Sequence, residues 1–329
     1  MDFTAYKHSL FNLKSPEEFN EFAIRLFRYQ YENNEIYRRF VEGIGVSKNQ
    51  VMHTAQIPFL PVSFFKTHKI VTGTYTAEVI FESSGTTGME SSKHFVSDTS
   101  LYEDSFTRSL QLFYGNIQEY TIFALLPSYL ERNNSSLVYM VEKLLQRSNR
   151  SMGGFYLNEL QELQEQLEEA KRLGHKIMLF GVTFALLEMA EKHPVNIPDA
   201  IIIETGGMKG RRKELTRMEL HSLLSGSFGV KKIHSEYGMT ELLSQAWSEG
   251  DGIFRCPPWM KIMIADTNDP LSYLETGRTG GINIIDLANI HSCSFIATQD
   301  LGRVFGDGSF EVLGRFDASD IRGCSLLVT

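Results

Sequence analysis

The stretch FESSGTTGMESSK, residues 81–93, contains an unbroken run of six serine, threonine and glycine residues, 83–88, one residue after a short apolar run. Residues 78–81 (EVIF) predict a strand that enters this loop, and residues 98–113 predict the helix that follows it. Backbone N–H groups in a glycine-rich turn can point inward together and bind an anion, and hydroxyl groups add donors. The segment therefore predicts a phosphate-binding loop between a strand and a helix.

The spacing within this loop excludes the two commonest nucleotide-binding signatures. Glu90 stands five residues after Gly85, where a Walker A loop requires glycine, and the G-x-G-x-x-G pattern does not occur in the loop. A polar surface loop without a ligand is the alternative that this segment leaves open when it is taken alone.

Composition narrows the class of protein. The chain has 329 residues, of which 42% are hydrophobic and 22% charged, as in soluble globular proteins. The net charge of −8, without a basic block, argues against a nucleic-acid partner. No apolar run approaches the ~20 residues of a membrane span. The three cysteines lack paired spacing, which argues against a disulfide framework or a zinc site, so we expect a cytoplasmic enzyme with free thiols.

The order of predicted elements indicates the fold class. Strands alternate with helices from residue 78 to about residue 226, which predicts an α/β fold of parallel sheets with flanking helices. Beyond residue 255, short strands without intervening helices predict a C-terminal antiparallel β subdomain. We expect a core domain over 1–254, with an N-terminal helical segment capped by Ser15, and a β-rich subdomain with its tail over 255–329.

Four motifs together resemble those of the adenylate-forming superfamily, which includes acyl-CoA synthetases and firefly luciferase. They are SSGTTG (83–88), SEYGMTE (235–241), TQDLG (298–302) and LGRFD (313–317), in the order of that superfamily. The resemblance implies ATP and Mg²⁺ as cofactors and an acyl-adenylate intermediate. The sequence departs from the pattern where the usual proline after the first loop is absent, the lysine is displaced to Lys93, and Gln299 replaces a glycine.

The resemblance also implies roles for individual residues. Tyr237 would stack on adenine, Thr240 would bind the α-phosphate, and Glu241 would supply a hard oxygen ligand to Mg²⁺. Asp300 would take the ribose hydroxyls and Arg315 would contact ribose or phosphate. The full set expected to bind the nucleotide is Ser84, Gly85, Thr86, Thr87, Gly88, Gly206, Gly207, Tyr237, Gly238, Thr240, Asp300 and Arg315.

Each of these residues also has a structural interpretation. Tyr237 and Glu241 could serve packing alone, and Asp300 could be an ordinary turn aspartate. His234, next to the nucleotide motif, could orient the substrate carboxylate or act as a base, and a packed histidine fits the sequence equally well.

The segments IPFLPVSFFK (57–66), LLPSYLERNNSSLVYM (125–140) and DIRGCSL (320–326) are similar to those of the acyl-protein synthetases of the lux fatty-acid reductase system. That family activates a fatty acid with ATP and transfers the acyl group to a cysteine near its own C-terminus. The resemblance implies that Cys324 is the acylated nucleophile, near the cation of Arg322 that favours a thiolate. It implies a carboxylic acid substrate of the fatty-acid class, an acyl-accepting reductase or carrier protein, and the absence of the usual lid domain.

Two other functions remain open from the sequence. A phenylacetate-type acyl-CoA ligase shares the style of these motifs, and a non-catalytic nucleotide- or acyl-binding relative could retain the fold. The 23 phenylalanines could line an apolar tunnel, but most belong to the core. The chain length of the acid and the final acceptor are not predicted.

Overall fold

A computed structural model describes residues 2–83, 91–126, 134–148, 152–206 and 215–315 of the chain. Nine α-helices lie within these ranges: α1 (Phe3–Leu10), α2 (Pro16–Asn33), α3 (Glu35–Gly43), α4 (Phe64–Thr67), α5 (Thr99–Tyr114), α6 (Ser136–Arg147), α7 (Leu160–Arg172), α8 (Thr183–Lys192) and α9 (Arg217–Phe228). No helix in these ranges is both long and apolar enough to cross a membrane.

The helix ends follow from local sequence. Ser15 caps α2 by accepting a hydrogen bond from the N–H of Glu18, as its position before Pro16 predicts. Gly174, just beyond α7, has a φ of +71° that permits the chain to turn away from the helix. The helix predicted from Arg211 begins at Arg217 instead, because Thr216 forms a capping box with Glu219.

Fourteen strands lie within the described ranges. They are β1 (Leu60–Pro61), β2 (Val79–Glu82), β3 (Lys93–Val96), β4 (Tyr120–Leu125), β5 (Gly154–Tyr156), β6 (Lys176–Gly181), β7 (Ile201–Glu204), β8 (His234–Tyr237), β9 (Ala246–Ser248), β10 (Ile253–Arg255), β11 (Met260–Ala265), β12 (Gly280–Asp286), β13 (Phe295–Val304) and β14 (Phe310–Arg315).

One large sheet contains twelve of these strands, in the order β11-β12-β13-β14-β10-β9-β8-β7-β6-β4-β5, with β1 paired to β13. Pairing is parallel from β5 to β8 and antiparallel from β8 to β11. The predicted change from parallel to antiparallel strands is therefore present. Strand β10 crosses the predicted boundary at residues 254 and 255 and joins the two parts by hydrogen bonds, and the division into two domains stays a prediction.

The predicted order of strand, glycine loop and helix is wrong. β2 and β3 pair antiparallel in a separate two-stranded sheet, and α5 begins only after β3. Residues 93–96 alternate between outward and buried side chains, which suits a strand with one face on the core. The glycine-rich segment therefore connects β2 to β3 in the sequence and not β2 to α5, and β2 does not belong to the parallel sheet.

The two faces of the sheet near β8 are covered by different helices. On one face, Trp247 of β9 donates from Nε1 to Oγ of Ser109 in α5, at 2.8 Å. On the other, Thr183 at the start of α8 donates from Oγ1 to Oε2 of Glu204 in β7, at 2.7 Å. Side chains of a strand alternate between faces, so neighbouring residues of β8 point toward α5 or toward α8.

Gln30 of α2 fixes the N-terminal helices to the far end of the sheet. Its side chain is fully buried, and its Nε2 donates to the carbonyl groups of Asn289 and Ile290, each at 3.0 Å. Its Oε1 accepts from the N–H of Ser294 at 2.9 Å. A single amide thus satisfies several backbone groups of the turn between β12 and β13.

The replacement Gln30→Ala should lower the free energy of unfolding by about 3 kcal/mol, because several buried backbone groups lose their partners. Urea denaturation measures this change. Gln161→Ala is the control, since Gln161 is exposed and donates to the exposed Glu165, and it should change stability by less than about 0.5 kcal/mol. Equal effects of the two substitutions would contradict the anchoring role.

Candidate active site

The centre of the site is a hydrogen bond between two residues of different motifs. The Tyr237 hydroxyl, at the end of β8, donates to Oδ2 of Asp300 in β13, at 2.7 Å. Arg315 pairs with Asp300 across β13 and β14, and its Nε lies 3.6 Å from Oδ1 of Asp300. The Arg315 side chain is 68% exposed, and its Nη2 donates to Oε1 of Gln299 at 3.0 Å. The structure thus brings together three predicted residues that are distant in sequence: Tyr237 and Asp300 are 63 positions apart, and Asp300 and Arg315 are 15 positions apart.

The surroundings of this bond are apolar on the Tyr237 side. The ring of Tyr237 contacts those of Phe254 and Phe310 edge to face, with centroids 5.9 and 5.6 Å apart. Burial raises the pKa of Tyr237 well above its usual value, and the Asp300 carboxylate adds to the rise. Burial also raises the pKa of Asp300, while the Tyr237 bond and the Arg315 charge oppose this. The tyrosine therefore remains a hydrogen-bond donor at neutral pH.

Glu241 lies at the end of the same motif and is 5% exposed. Burial raises the pKa of its carboxyl group, whereas a hydrogen bond from Ser92 and the charges of Arg315 and Lys66 lower it. Mg²⁺ in nucleotide sites commonly takes one or two carboxylates together with water and substrate phosphates. A single carboxylate beside cations and a hydroxyl group fits that manner of binding. Among the described residues, no three His, Cys, Asp or Glu side chains converge on one point.

The glycine loop is closed at its base by two serines. The N–H of Ser83 donates to the carbonyl of Ser92 at 3.0 Å, and the N–H of Ser92 donates to Oγ of Ser83 at 2.8 Å. Because Ser92 also bonds the Glu241 carboxyl group, the base of the loop contacts the predicted metal ligand. Among predicted residues, Ser84, Gly85, Thr86, Thr87 and Gly88 lie outside the described ranges, as do Gly207 and Cys324.

His94 of β3 connects the hairpin of β2 and β3 to the motif at residues 235–241. The sequence did not predict this role for His94. Its Nδ1 donates to the carbonyl of Thr240 at 2.8 Å, and its Nε2 lies 3.0 Å from Oδ1 of Asn289. Asn289 donates from Nδ2 to the carbonyl of Glu241 at 2.7 Å. A lone histidine in a polar segment gives no signal of such a role, because both of its partners are distant in sequence.

His234 stands at the opposite end of β8 from Tyr237, on the face covered by α5. Its ring lies 5.5 Å from that of Tyr114, and its Nδ1 is buried without a hydrogen-bond partner. Burial lowers the pKa of His234 to about 4, and the Lys232 and His221 charges contribute. The ring is therefore neutral at pH 7, and its surroundings are those of a packed histidine.

Two of the predicted glycines, Gly206 and Gly238, lie within the described ranges, and each has a close structural constraint. Gly206 follows β7 with a φ of +74°, its N–H donates to Oε2 of Glu204 at 2.8 Å, and its carbonyl accepts from the N–H of Thr183. At Gly238, a Cβ atom would lie 2.3 Å from Oε1 of Glu236. Any larger residue at position 238 would displace that carboxyl group.

Residues 9–329 match the family described as "Acyl-protein synthetase, LuxE". The chain belongs to this family. This chain is also 24% identical over 324 residues to a long-chain-fatty-acid–luciferin-component ligase of Vibrio harveyi, covering 91% of this chain and 84% of that protein. Family membership supports activation of an acyl group by adenylation.

Solved structures confirm the predicted fold class. One such structure is a 2-hydroxyisobutyryl-CoA ligase in an open conformation, in complex with 2-HIB-AMP and CoA. It matches 92% of this chain and 75% of its own, with a TM-score of 0.70 at 12% identity. ATP-bound MatB from Rhodopseudomonas palustris matches 72% of this chain and 47% of its own, with a TM-score of 0.53 at 17% identity. This chain spans about half the length of the MatB structures.

The buried His94 should make stability depend on pH. Burial lowers the pKa of His94 from 6.5 to about 4, although its two hydrogen bonds oppose the shift. Between these values the unfolded chain binds a proton that the folded chain does not. The stabilisation is therefore complete above pH 6.5 and is lost as the pH falls toward 4, by up to about 1.4 kcal/mol per unit.

In His94→Leu, the deficit in unfolding free energy relative to the wild type should shrink as the pH falls from 6.5 to 4. Urea denaturation at several pH values measures it. His68→Leu is the control, because His68 is exposed, and it should change stability at pH 7 by less than about 0.5 kcal/mol. A deficit independent of pH would show that His94 is protonated in the folded protein.

Proposed function

We propose that this LuxE-family protein activates a carboxylic acid, most simply a fatty acid, with Mg·ATP and then transfers the acyl group to its own Cys324. The observation that carries the proposal is the Tyr237–Asp300 bond, which joins two of the motifs predicted to bind the nucleotide. The name of the Vibrio harveyi relative, a long-chain-fatty-acid ligase, supports the choice of acid. The acyl group would pass from Cys324 to a reductase or carrier protein, and the free thiols favour a cytoplasmic setting.

In the first step, a carboxylate oxygen of the acid attacks the α-phosphorus of ATP, and pyrophosphate leaves. Tyr237 would stack on adenine, Asp300 would hold the ribose hydroxyls, and Arg315 would contact ribose or phosphate. Thr240 would bind the α-phosphate while Ser84 to Gly88 hold the departing phosphates. Glu241 would hold Mg²⁺, whose charge stabilises the phosphates when it is bound. Positioning and charge stabilisation supply most of the rate in such reactions.

In the second step, the Cys324 thiolate attacks the acyl carbon and AMP leaves, so that a C–S bond replaces the C–O bond of the adenylate. Cys324 follows Arg315 by nine residues, and nine residues span at most about 30 Å. Since Arg315 lies beside Asp300, the chain is long enough for the thiol to reach the site, and such a tether would raise its effective concentration.

The other two cysteines are poorer candidates for the nucleophile. Burial raises the pKa of Cys293 to about 12, and that side chain is fully buried. Burial and the charge of Asp286 also raise the pKa of Cys256 far above its usual value. Both thiols therefore stay protonated at neutral pH, and a protonated thiol is a weak nucleophile.

Exchange of labelled pyrophosphate into ATP, assayed with a panel of saturated and aromatic carboxylic acids, tests the first step. At least one acid should support exchange in the wild type, and Glu241→Gln should reduce it at least a hundredfold, because the substitution removes the charge opposite Mg²⁺. Glu42→Gln, at an exposed residue of α3, is the control. Absence of exchange with every acid would favour a non-catalytic binding relative.

Intact mass after incubation with Mg·ATP and the active acid tests the second step. The wild type should carry one hydroxylamine-labile acyl adduct, Cys324→Ala should lose it, and Cys256→Ala should keep it. Pyrophosphate exchange should survive in Cys324→Ala, because the adenylate forms before the thiol reacts. A Cys324→Ala protein that converts CoA to acyl-CoA as fast as the wild type would favour the phenylacetate-type CoA ligase.

A further inference from the structure

Glu236 lies in β8, immediately before Tyr237. No hydrogen bond or ion pair joins its side chain to any residue in the described ranges. By contrast, Glu204 on the neighbouring strand accepts from Thr183, Gly206 and Ser235. Partly buried carboxyl groups ordinarily find such partners, so the exception at Glu236 needs a physical explanation.

The position of Glu236 directs its side chain toward the site. Glu236 pairs with Trp247 of β9, so it points to the face covered by α5, opposite to Tyr237. Its Oε1 lies only 2.3 Å from the place that a Cβ of Gly238 would occupy. The carboxyl group therefore reaches forward over the motif, at the carboxyl end of the parallel strands, where α/β proteins bind their ligands.

A second unpartnered group lies beside it. Gln245 is 3% exposed, and its Oε1 is buried without a hydrogen-bond partner. Its Cγ lies 3.2 Å from the same Cβ position of Gly238. Each buried polar atom without a partner costs about 1–3 kcal/mol. The Oε1 of Gln245 is one such atom, and it lies with the Glu236 carboxyl group around one motif glycine, which indicates a place that a polar ligand completes.

Burial and nearby charges decide whether the Glu236 carboxyl group is protonated at neutral pH. Removal from water raises its pKa to about 8, and the carboxylate of Glu204 on β7 adds to the rise. Tyr102 of α5 is the titratable group that faces it from the helix side, and burial raises the pKa of that tyrosine beyond the neutral range. No cation within the described residues pairs with Glu236. At neutral pH it is mostly a carboxylic acid, with one O–H to donate.

We propose that Glu236 donates a hydrogen bond from its carboxylic acid to one carboxylate oxygen of the acid substrate, on the α5 side of the sheet. The inference rests on the proposed function and adds a substrate-contacting residue to it. The other carboxylate oxygen is then free to attack ATP. After adenylation the bonded oxygen becomes the acyl carbonyl, and the same O–H stabilises the charge that develops there when the thiolate attacks. The proton stays on Glu236 throughout.

The arrangement also separates the two substrates. Tyr237 and Glu236 are consecutive residues on opposite faces of β8, so the nucleotide and the acid would approach the motif from different sides. Gly238 lies between them and has no side chain to block either approach. Gln245 would accept a hydrogen bond from a water or hydroxyl group that accompanies the acid.

The test measures the KM of the acid in the pyrophosphate-exchange assay between pH 7 and pH 9. In the wild type this KM should rise about tenfold, because the neutral form of Glu236 falls about tenfold as the pH rises through about 8. Glu236→Gln keeps a donor but does not titrate, so its KM should stay constant within twofold. Glu236→Ala should raise KM at pH 7 at least tenfold. The KM of Mg·ATP should change by less than twofold in both variants.

Glu249→Gln is the matched control, since Glu249 is exposed one residue beyond β9, and it should retain the wild-type profile. Calorimetric binding of decanoate without ATP gives a second readout, and affinity should fall between pH 7 and pH 9 in the wild type but not in Glu236→Gln. If wild type and Glu236→Gln share one pH profile while exchange is intact, the role of Glu236 is refuted and adenylation stands. If no acid supports exchange in the wild type, both proposals fail.

Discussion

Strand β8 has a parallel neighbour on one edge and an antiparallel neighbour on the other, and the whole site depends on this change of direction. Parallel strands β4 to β8 end at one edge of the sheet, which brings Gly206 and the nucleotide motif together. The antiparallel strands then return the chain, so that β13 carries Asp300 to the Tyr237 hydroxyl. Without this change from parallel to antiparallel pairing at β8, the motif that contains Asp300 would lie far from the motif that contains Tyr237.

Burial determines the chemical state of nearly every polar group around this edge. Tyr237 remains protonated, His94 and His234 remain neutral, and Glu236 is largely a carboxylic acid. Glu241 is also buried, but a hydroxyl group and two cations act against the rise in its pKa. Groups of one chemical type thus take different roles because their surroundings differ. The site offers neutral groups on the α5 side, and near the loop base a buried carboxyl group whose raised pKa is opposed by a hydroxyl group and two cations.

Local patterns predicted the elements that depend on neighbours in sequence. The capped helix α2, the parallel strands β6 and β7, and the four motifs were readable because spacing, caps and apolar periodicity are local properties. The sequence did not predict that β2 pairs with β3. A strand as short as β3 carries too few residues for an apolar pattern that would reveal it or its partner. The link from His94 to Asn289 was not predicted at all, because it joins residues 195 positions apart.

The sequence by itself determined the family, the fold class and the residue types of the site, because motif order and composition are properties of the chain alone. The tertiary structure alone decided which side chains meet. It placed Tyr237 on Asp300, positioned Ser92 against Glu241, and set the Glu236 carboxyl group over Gly238 with no hydrogen-bond or ion-pair partner in the part of the chain that the structure describes. The physical reason is that hydrogen bonding and desolvation act between groups close in space. Distance in space is fixed by strand pairing and packing, which no short segment of sequence contains.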